Sequence, residues 1–354
     1  MSEISSSGAG RVDVSPLLAK ESLSERLASF AWNEWAQIGL LIAPAHVSPW
    51  AQDPEALIVF TLQVGRDEPR LFDELLDWML RNESLLSIRR LRAMCVDEAD
   101  RRLVDATVAW LARHRPQARL SPRRIDDQAP EHSSLAPLFY ADVPGKEPDL
   151  DFAAAGLLRP VLSPSGRSVT PDLMTPINLA FRLRAILGVG IRSEVVRIML
   201  TSRSALATAQ MLARASGYSK RNVHDALGGL VAAQVMAAFQ TGGENRYAIN
   251  ADVWAALLQR EPTALPIHRD WPQLLGTLRV ILRWRREQER ADGSDYMRGS
   301  DTRQLLSRIR GDLAFAGIDV NRKATAEQAP AELERVQDAI LARLDPQNQP
   351  ANWQ

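Results

Sequence analysis

Lysine is scarce in this chain of 354 residues: only Lys20, Lys146, Lys220 and Lys323 occur among 43 basic residues, so nearly every positive charge is an arginine. That bias follows from GC-rich codon use and is not by itself a sign of phosphate chemistry, although guanidinium forks suit phosphates better than ammonium groups do. Net charge is absent as well, because 43 acidic residues balance the 43 basic ones, which excludes a protein that is basic over its whole surface. Cysteine occurs once, at Cys95, which excludes an intrachain disulfide and fits a reducing compartment. The five histidines, His46, His114, His132, His224 and His268, lack the paired spacing of a metal site, so no metal is expected.

Catalytic signatures are missing too. No phosphate-loop lysine motif occurs, and Gly188-Val189-Gly190 opens like a dinucleotide loop but continues with Ser193 in helical surroundings. Asp73 and Asp77 share a helix face with Arg70 and Arg81 and read as a solvated charge ladder. Cys95 sits in an apolar helical stripe and reads as a buried structural thiol. The expectation is a protein that is not an enzyme and needs no cofactor. No apolar run is long enough to cross a bilayer and no signal-peptide core opens the chain, so a cytoplasmic protein without a membrane partner is expected.

What is present is concentrated between residues 192 and 250. Ser193 to Thr201 carries Val195, Val196, Met199 and Leu200 on one helical face. A second helix, from Thr208, places Met211, Leu212 and Ala215 at helical spacing and stops at Gly217. Ser219 then caps a third helix whose buried face is Val223, Leu227 and Leu230, leaving Lys220, Arg221, Asn222 and His224 on the outer side. VMAAFQ and RYAIN follow as two strands joined across Gly242 and Gly243, with Arg246 at the edge. From Phe181 to Asn250 nine basic residues face three acidic ones, so a basic module sits in a neutral chain.

These residues resemble the winged helix-turn-helix domains of bacterial transcription regulators. The resemblance covers about residues 192–250. It implies that the third helix enters a major groove of double-stranded DNA, with Ser219, Lys220, Arg221, Asn222 and His224 as the contact set and Arg246 as the wing contact. The protein would then be nucleoid-associated when bound. Two features depart from the family pattern. Gln234 stands where glycine often precedes the wing, and Gly228 with Gly229 interrupts the third helix, implying either a short helix or a close backbone approach by a partner.

The expected fold class is mainly α, with tandem helix-turn-helix-like domains, the second carrying a small β-hairpin, followed by C-terminal helices. The expected divisions are a flexible stretch over 1–20, a helical domain over 21–115, a proline-rich connection over 116–176, the winged unit over 177–260, a C-terminal helical region over 261–345 and a frayed tail over 346–354. The tandem rests on a pattern-level repeat in which PEALIVFTLQVG parallels SEVVRIMLTSRS and LLSIRRLRAMC parallels YSKRNVHDALG. Arg89, Arg90 and Arg92 then face outward as a second surface for DNA or for a protein partner. Trp32, Trp35, Trp78 and Trp110 read as core, with Trp50 in a loop between prolines. In the C-terminal region, Pro272 opens one amphipathic helix, Asp301 with Gln304 forms a capping box for a second, and Pro330 opens a third. These helices serve either a homodimer interface or intrachain packing. The functional expectation is a sequence-specific DNA-binding transcriptional regulator acting as a homodimer. The alternative is an antitoxin-like or adaptor protein that binds a partner through its helical domains and regulates its own promoter.

Overall fold

The computed structural model describes residues 22–115, 135–141, 143, 147–202, 206–290 and 294–347. The stretch expected to be flexible at 1–20, all but two residues of the tail at 346–354, and the first part of the proline-rich connection lie outside the described residues. The fold is mainly helical, with fourteen α-helices and a small three-stranded antiparallel sheet among the described residues.

The N-terminal helices are α1 (Leu23–Gln37), α2 (Pro54–Val64), α3 (Pro69–Asn82), α4 (Ile88–Ala93) and α5 (Glu98–His114). Helix α1 begins in a capping box in which the Ser22 hydroxyl accepts from the Glu25 amide while the Ser22 amide donates to Glu25. Helix α2 starts at the Asp53 cap with Pro54 in its first turn, and every one of its 11 residues is buried. A helix without a polar face belongs at the centre of a core, and α2 is enclosed by α1, α3, α4 and α5 on the N-terminal side.

Its remaining side is covered from more than 200 residues away. The C-terminal helices are α12 (Trp271–Arg290), α13 (Asp295–Phe315) and α14 (Ala329–Leu344), and α12 packs directly on α2. Trp271 donates its indole N–H to the Ala51 carbonyl at 2.8 Å and meets Trp50 edge-on at 5.4 Å. Leu274, Leu278, Ile309, Leu333 and Ile340 thereby join the same core as Leu57, Phe60 and Trp110. The C-terminal apolar stripes pack within the chain. Trp35, Trp50, Trp78 and Trp110 are fully buried, and Trp32 is half-buried beneath Arg70.

Three details differ from the sequence reading. Helix α13 begins at the Ser294 cap, whose hydroxyl accepts from the Met297 amide, so Asp301 lies inside the helix and caps nothing. Asp73 and Asp77 do not form a solvated ladder: Asp73 pairs with buried Arg159 at 2.5 Å, and Asp77 accepts from the Gly166 and Ser168 amides at 2.7 and 3.1 Å. The later half of the proline-rich connection is folded onto the core through Phe139, Phe152 and Leu157. It holds β1 (Ala136–Pro137), α6 (Leu150–Ala154) and β2 (Leu157–Leu158), with β1 parallel to β2.

A second core belongs to the middle of the chain: α7 (Leu179–Leu187), α8 (Ile191–Thr201), β3 (Ala207–Thr208), α9 (Ala209–Ser216), α10 (Lys220–Ala232), β4 (Met236–Thr241), β5 (Glu244–Ile249) and α11 (Ala251–Leu258). The strands pair antiparallel in the order β3-β5-β4. Val195, Met199, Leu212, Val223, Leu227, Leu230 and Tyr247 fill the space between the three helices and the sheet. Gly217 ends α9 at φ 74°, and Gly242 and Gly243 turn the hairpin at φ 59° and 82°, conformations that a side chain would oppose.

Candidate nucleic-acid interface

Helix α10 owes its start to Ser219, whose hydroxyl accepts from the Asn222 amide at 3.3 Å. From that cap the helical period turns Val223, Ala226, Leu227 and Leu230 inward and leaves Lys220, Arg221, His224 and Asp225 exposed, with Asn222 half-buried on the flank. The exposed face continues over Gly228, Gly229, Ala232 and Ala233, so it is charged at its first turns and smooth beyond. The helix runs through both glycines, which rules out the short-helix reading of that pair. Nothing lies within 4 Å of the position a Cβ would take at Gly228, so packing does not require glycine there.

Arg246 is exposed on β5, opposite Phe239 on β4 and Thr208 on β3. In an antiparallel pair directly opposed residues share a face. Phe239 is 49% exposed, so the hairpin presents an aromatic ring beside the Arg246 side chain. Strand alternation puts Phe239 out of phase with buried Met236, which is the signal in the sequence that could have singled it out. Gln234, just before the hairpin, takes φ 58°, so the left-handed turn that glycine often supplies is made here by a residue with a Cβ.

The second expected surface does not exist as a unit. Arg89 is exposed, but Arg92 is half-buried and paired with Asp105 at 2.9 Å, and Arg90 is fully buried. Arg90 faces inward because three carboxylates wait for it there. Its Nη1 donates to Asp53 at 2.6 Å and to Glu55 at 2.7 Å, its Nη2 reaches the second Asp53 oxygen, and its Nε donates to the Ser216 carbonyl at 2.8 Å. Arg184 joins Glu55 to Glu194 with contacts of 2.6 Å to each, and Arg197 joins Glu194 to Asp53 at 3.0 and 3.1 Å.

Three arginines and three carboxylates are thus interlocked in a closed and neutral cluster. It bridges α2 and α4 of the N-terminal unit to α7, α8 and the end of α9. Burial works against the charges of Asp53, Glu194, Arg90 and Arg184, yet the facing arginines hold the Asp53 and Glu194 carboxyls below the usual carboxylate range, and the carboxylates raise Arg90 and Arg184 in turn. Cys95, after α4, is half-buried and donates to the Leu91 carbonyl at 3.5 Å, and burial together with nearby Asp100 pushes its thiol up to about 12. Such a thiol is a poor nucleophile at neutral pH.

The cluster redistributes the charge counted from the sequence. Arg184 and Arg197 are consumed by Glu194, and Arg214 pairs with Asp312. Among the described residues Arg192, Lys220, Arg221 and Arg246 form no ion pair within 4.0 Å, and all four are exposed around α10 and the hairpin. No group of three or more metal-ligating side chains occurs among the described residues, and no described helix is long and apolar enough to cross a membrane. Comparison with protein-family models, with curated proteins and with solved structures gave no match.

Proposed function

We propose that α8 to β5 form a winged helix that binds double-stranded DNA, and that the protein is a sequence-specific transcriptional regulator. The observation that carries the reading is the charged first turns of α10. Lys220, Arg221 and His224 project from a helix whose opposite face is locked into the core. A convex, solvent-facing helix of this kind has the width of a major groove, and its arginine and lysine can reach guanine acceptors while Asn222 suits an adenine edge. The order helix, short strand, helix, helix, hairpin, with the short strand completing the sheet, supports the same reading. Arg246 and Phe239 on the hairpin suit a backbone or minor-groove contact.

The regulator acts as a homodimer in this reading, because two recognition helices match two half-sites on a duplex. The tandem repeat remains part of the proposal only for α2 to α4, since α5 stands where the second unit has its hairpin.

Fluorescence anisotropy on the DNA upstream of the protein's own gene and on a scrambled duplex, across a salt series, tests the reading. Tight, sequence-selective binding that weakens with salt is expected. Weak binding that ignores sequence would overturn it and favour a protein partner.

A further inference from the structure

Beside α10 lies an open groove of about 530 Å³ whose walls come from both units: Arg89 and Ser87 from the α4 end, Arg192 from α8, and Tyr218, Asn222 and Asp225 from the α10 end. We propose that Arg89 and Arg192 form a phosphate clamp at this groove, so that the N-terminal helical unit and the winged unit hold one duplex together. The proposal rests on the DNA-binding reading above and assigns to it a contact from outside the winged unit.

Around this groove Arg90, Arg184 and Arg197 are committed to buried carboxylates, and Arg92 to Asp105. Arg89 and Arg192 are exposed and form no ion pair within 4.0 Å among the described residues. Arg192 runs alongside α10, its Nη2 lying 3.6 Å from the point where a Cβ on Gly229 would sit. Both guanidiniums therefore border the helix that carries Lys220 and Arg221 and extend its charged surface sideways, toward a phosphodiester backbone flanking the groove that α10 would enter.

Position is fixed from below. Arg90, the next residue after Arg89, is tied to Asp53, Glu55 and the carbonyl of Ser216 at the end of α9. Met94 packs so closely on Gly217 that a Cβ there would lie 2.7 Å from its methyl carbon. Helix α4 is thus clamped under the α9–α10 turn, and Arg89 is carried into the groove by a rigid support. Arg90 is the positioning residue and Arg89 the contact. Asp225 lines the groove too and opposes an incoming phosphate.

A phosphate clamp is indifferent to sequence, which separates it from base readout. Anisotropy titrations of R89A/R192A, R89K/R192K, D225N and the wild type, each on the upstream and the scrambled duplex, test it. R89A/R192A should lower the steepness of log K against log salt by about 1 to 2 and weaken both duplexes by the same factor. R89K/R192K should keep the wild-type slope, and D225N should bind both duplexes more tightly. An unchanged slope in R89A/R192A overturns the clamp, and so does a loss confined to the upstream duplex. If the wild type binds neither duplex in a salt-dependent way, the DNA-binding reading falls and the clamp with it. If K220A/R221A weakens selective binding while R89A/R192A changes nothing, only the clamp falls.

Discussion

Arg90 of α4 donates its Nε to the carbonyl of Ser216, the last residue of α9, at 2.8 Å. A residue of the N-terminal unit thus caps the buried C-terminal carbonyl of a helix 126 positions away, and the same guanidinium pairs with Asp53 and Glu55. The two units are joined by charge as well as by apolar contact. Breaking such a buried network by removing one partner leaves an uncompensated ion and costs about 3–5 kcal/mol. R90A should therefore lower the unfolding free energy from a urea titration by that amount, whereas R89A should leave it within about 0.5 kcal/mol. Equal effects of the two substitutions would contradict the burial assigned to Arg90.

The same cluster sets the response to acid. Asp53 and Glu194 have folded-state carboxyls below their ordinary values of 3.8 and 4.5, so the unfolded chain binds more protons in that range. Their stabilisation is present above about pH 4.5 and is lost as pH falls toward the folded-state values. Glu34, buried among the neutral donors Ser48, Trp50 and Gln52, is raised by burial and has the opposite sign, contributing stability at low pH that is lost as pH rises past 4.5. Thermal melts from pH 3 to pH 7 should show a steep fall in Tm below pH 4.5, and E194Q should flatten it. A wild-type Tm independent of pH in this range would refute the cluster's ionised state.

Gly228 offers a test of what the smooth end of α10 is for. It is exposed, has open space where a Cβ would sit, and lies inside a helix, so alanine should stabilise the fold by about 1 kcal/mol. G228A should raise Tm and at the same time weaken DNA binding, because a duplex backbone approaching this face would meet the added methyl group. A variant that is more stable and binds as before would show that nothing approaches the helix there.

Gln234 makes the opposite case. Its φ of 58° is one that a Cβ resists, at about 1–2 kcal/mol, part of which glycine returns as chain entropy. Q234G should leave stability unchanged or raise it by up to about 1 kcal/mol in a denaturant titration. A clear loss would mean that the Gln234 side chain makes a contact worth more than its backbone strain.

Local chemistry was legible in the sequence wherever the signal was local. The Ser219 cap, the Gly217 stop, the turn at Gly242 and Gly243, and the inward set Val223, Leu227 and Leu230 follow from residue type and helical period, and the structure has each of them. What escaped was non-local. Arg90 looks like a surface charge until Asp53 and Glu55, 35 to 37 positions away, and Glu194, more than 100 away, are brought around it. Arg89 and Arg92 flank it with the same side chain and a different fate, which periodicity alone does not distinguish. The C-terminal stripes announced amphipathic helices, but that Trp271 would cover α2 depends on a contact 220 positions apart. Asp301 with Gln304 matched the residue types of a capping box, and the earlier Ser294 took the role because its hydroxyl could reach a free amide first.

If the first turns of α10 read DNA, K220A/R221A measured beside the wild type shows it most directly. Both side chains are exposed and outside the core, so circular dichroism and Tm should be unchanged. On the upstream duplex the double variant should lose about 1–3 kcal/mol for each good base contact, while its affinity for scrambled DNA falls much less. A folded double variant that binds the upstream duplex with wild-type affinity would contradict the account.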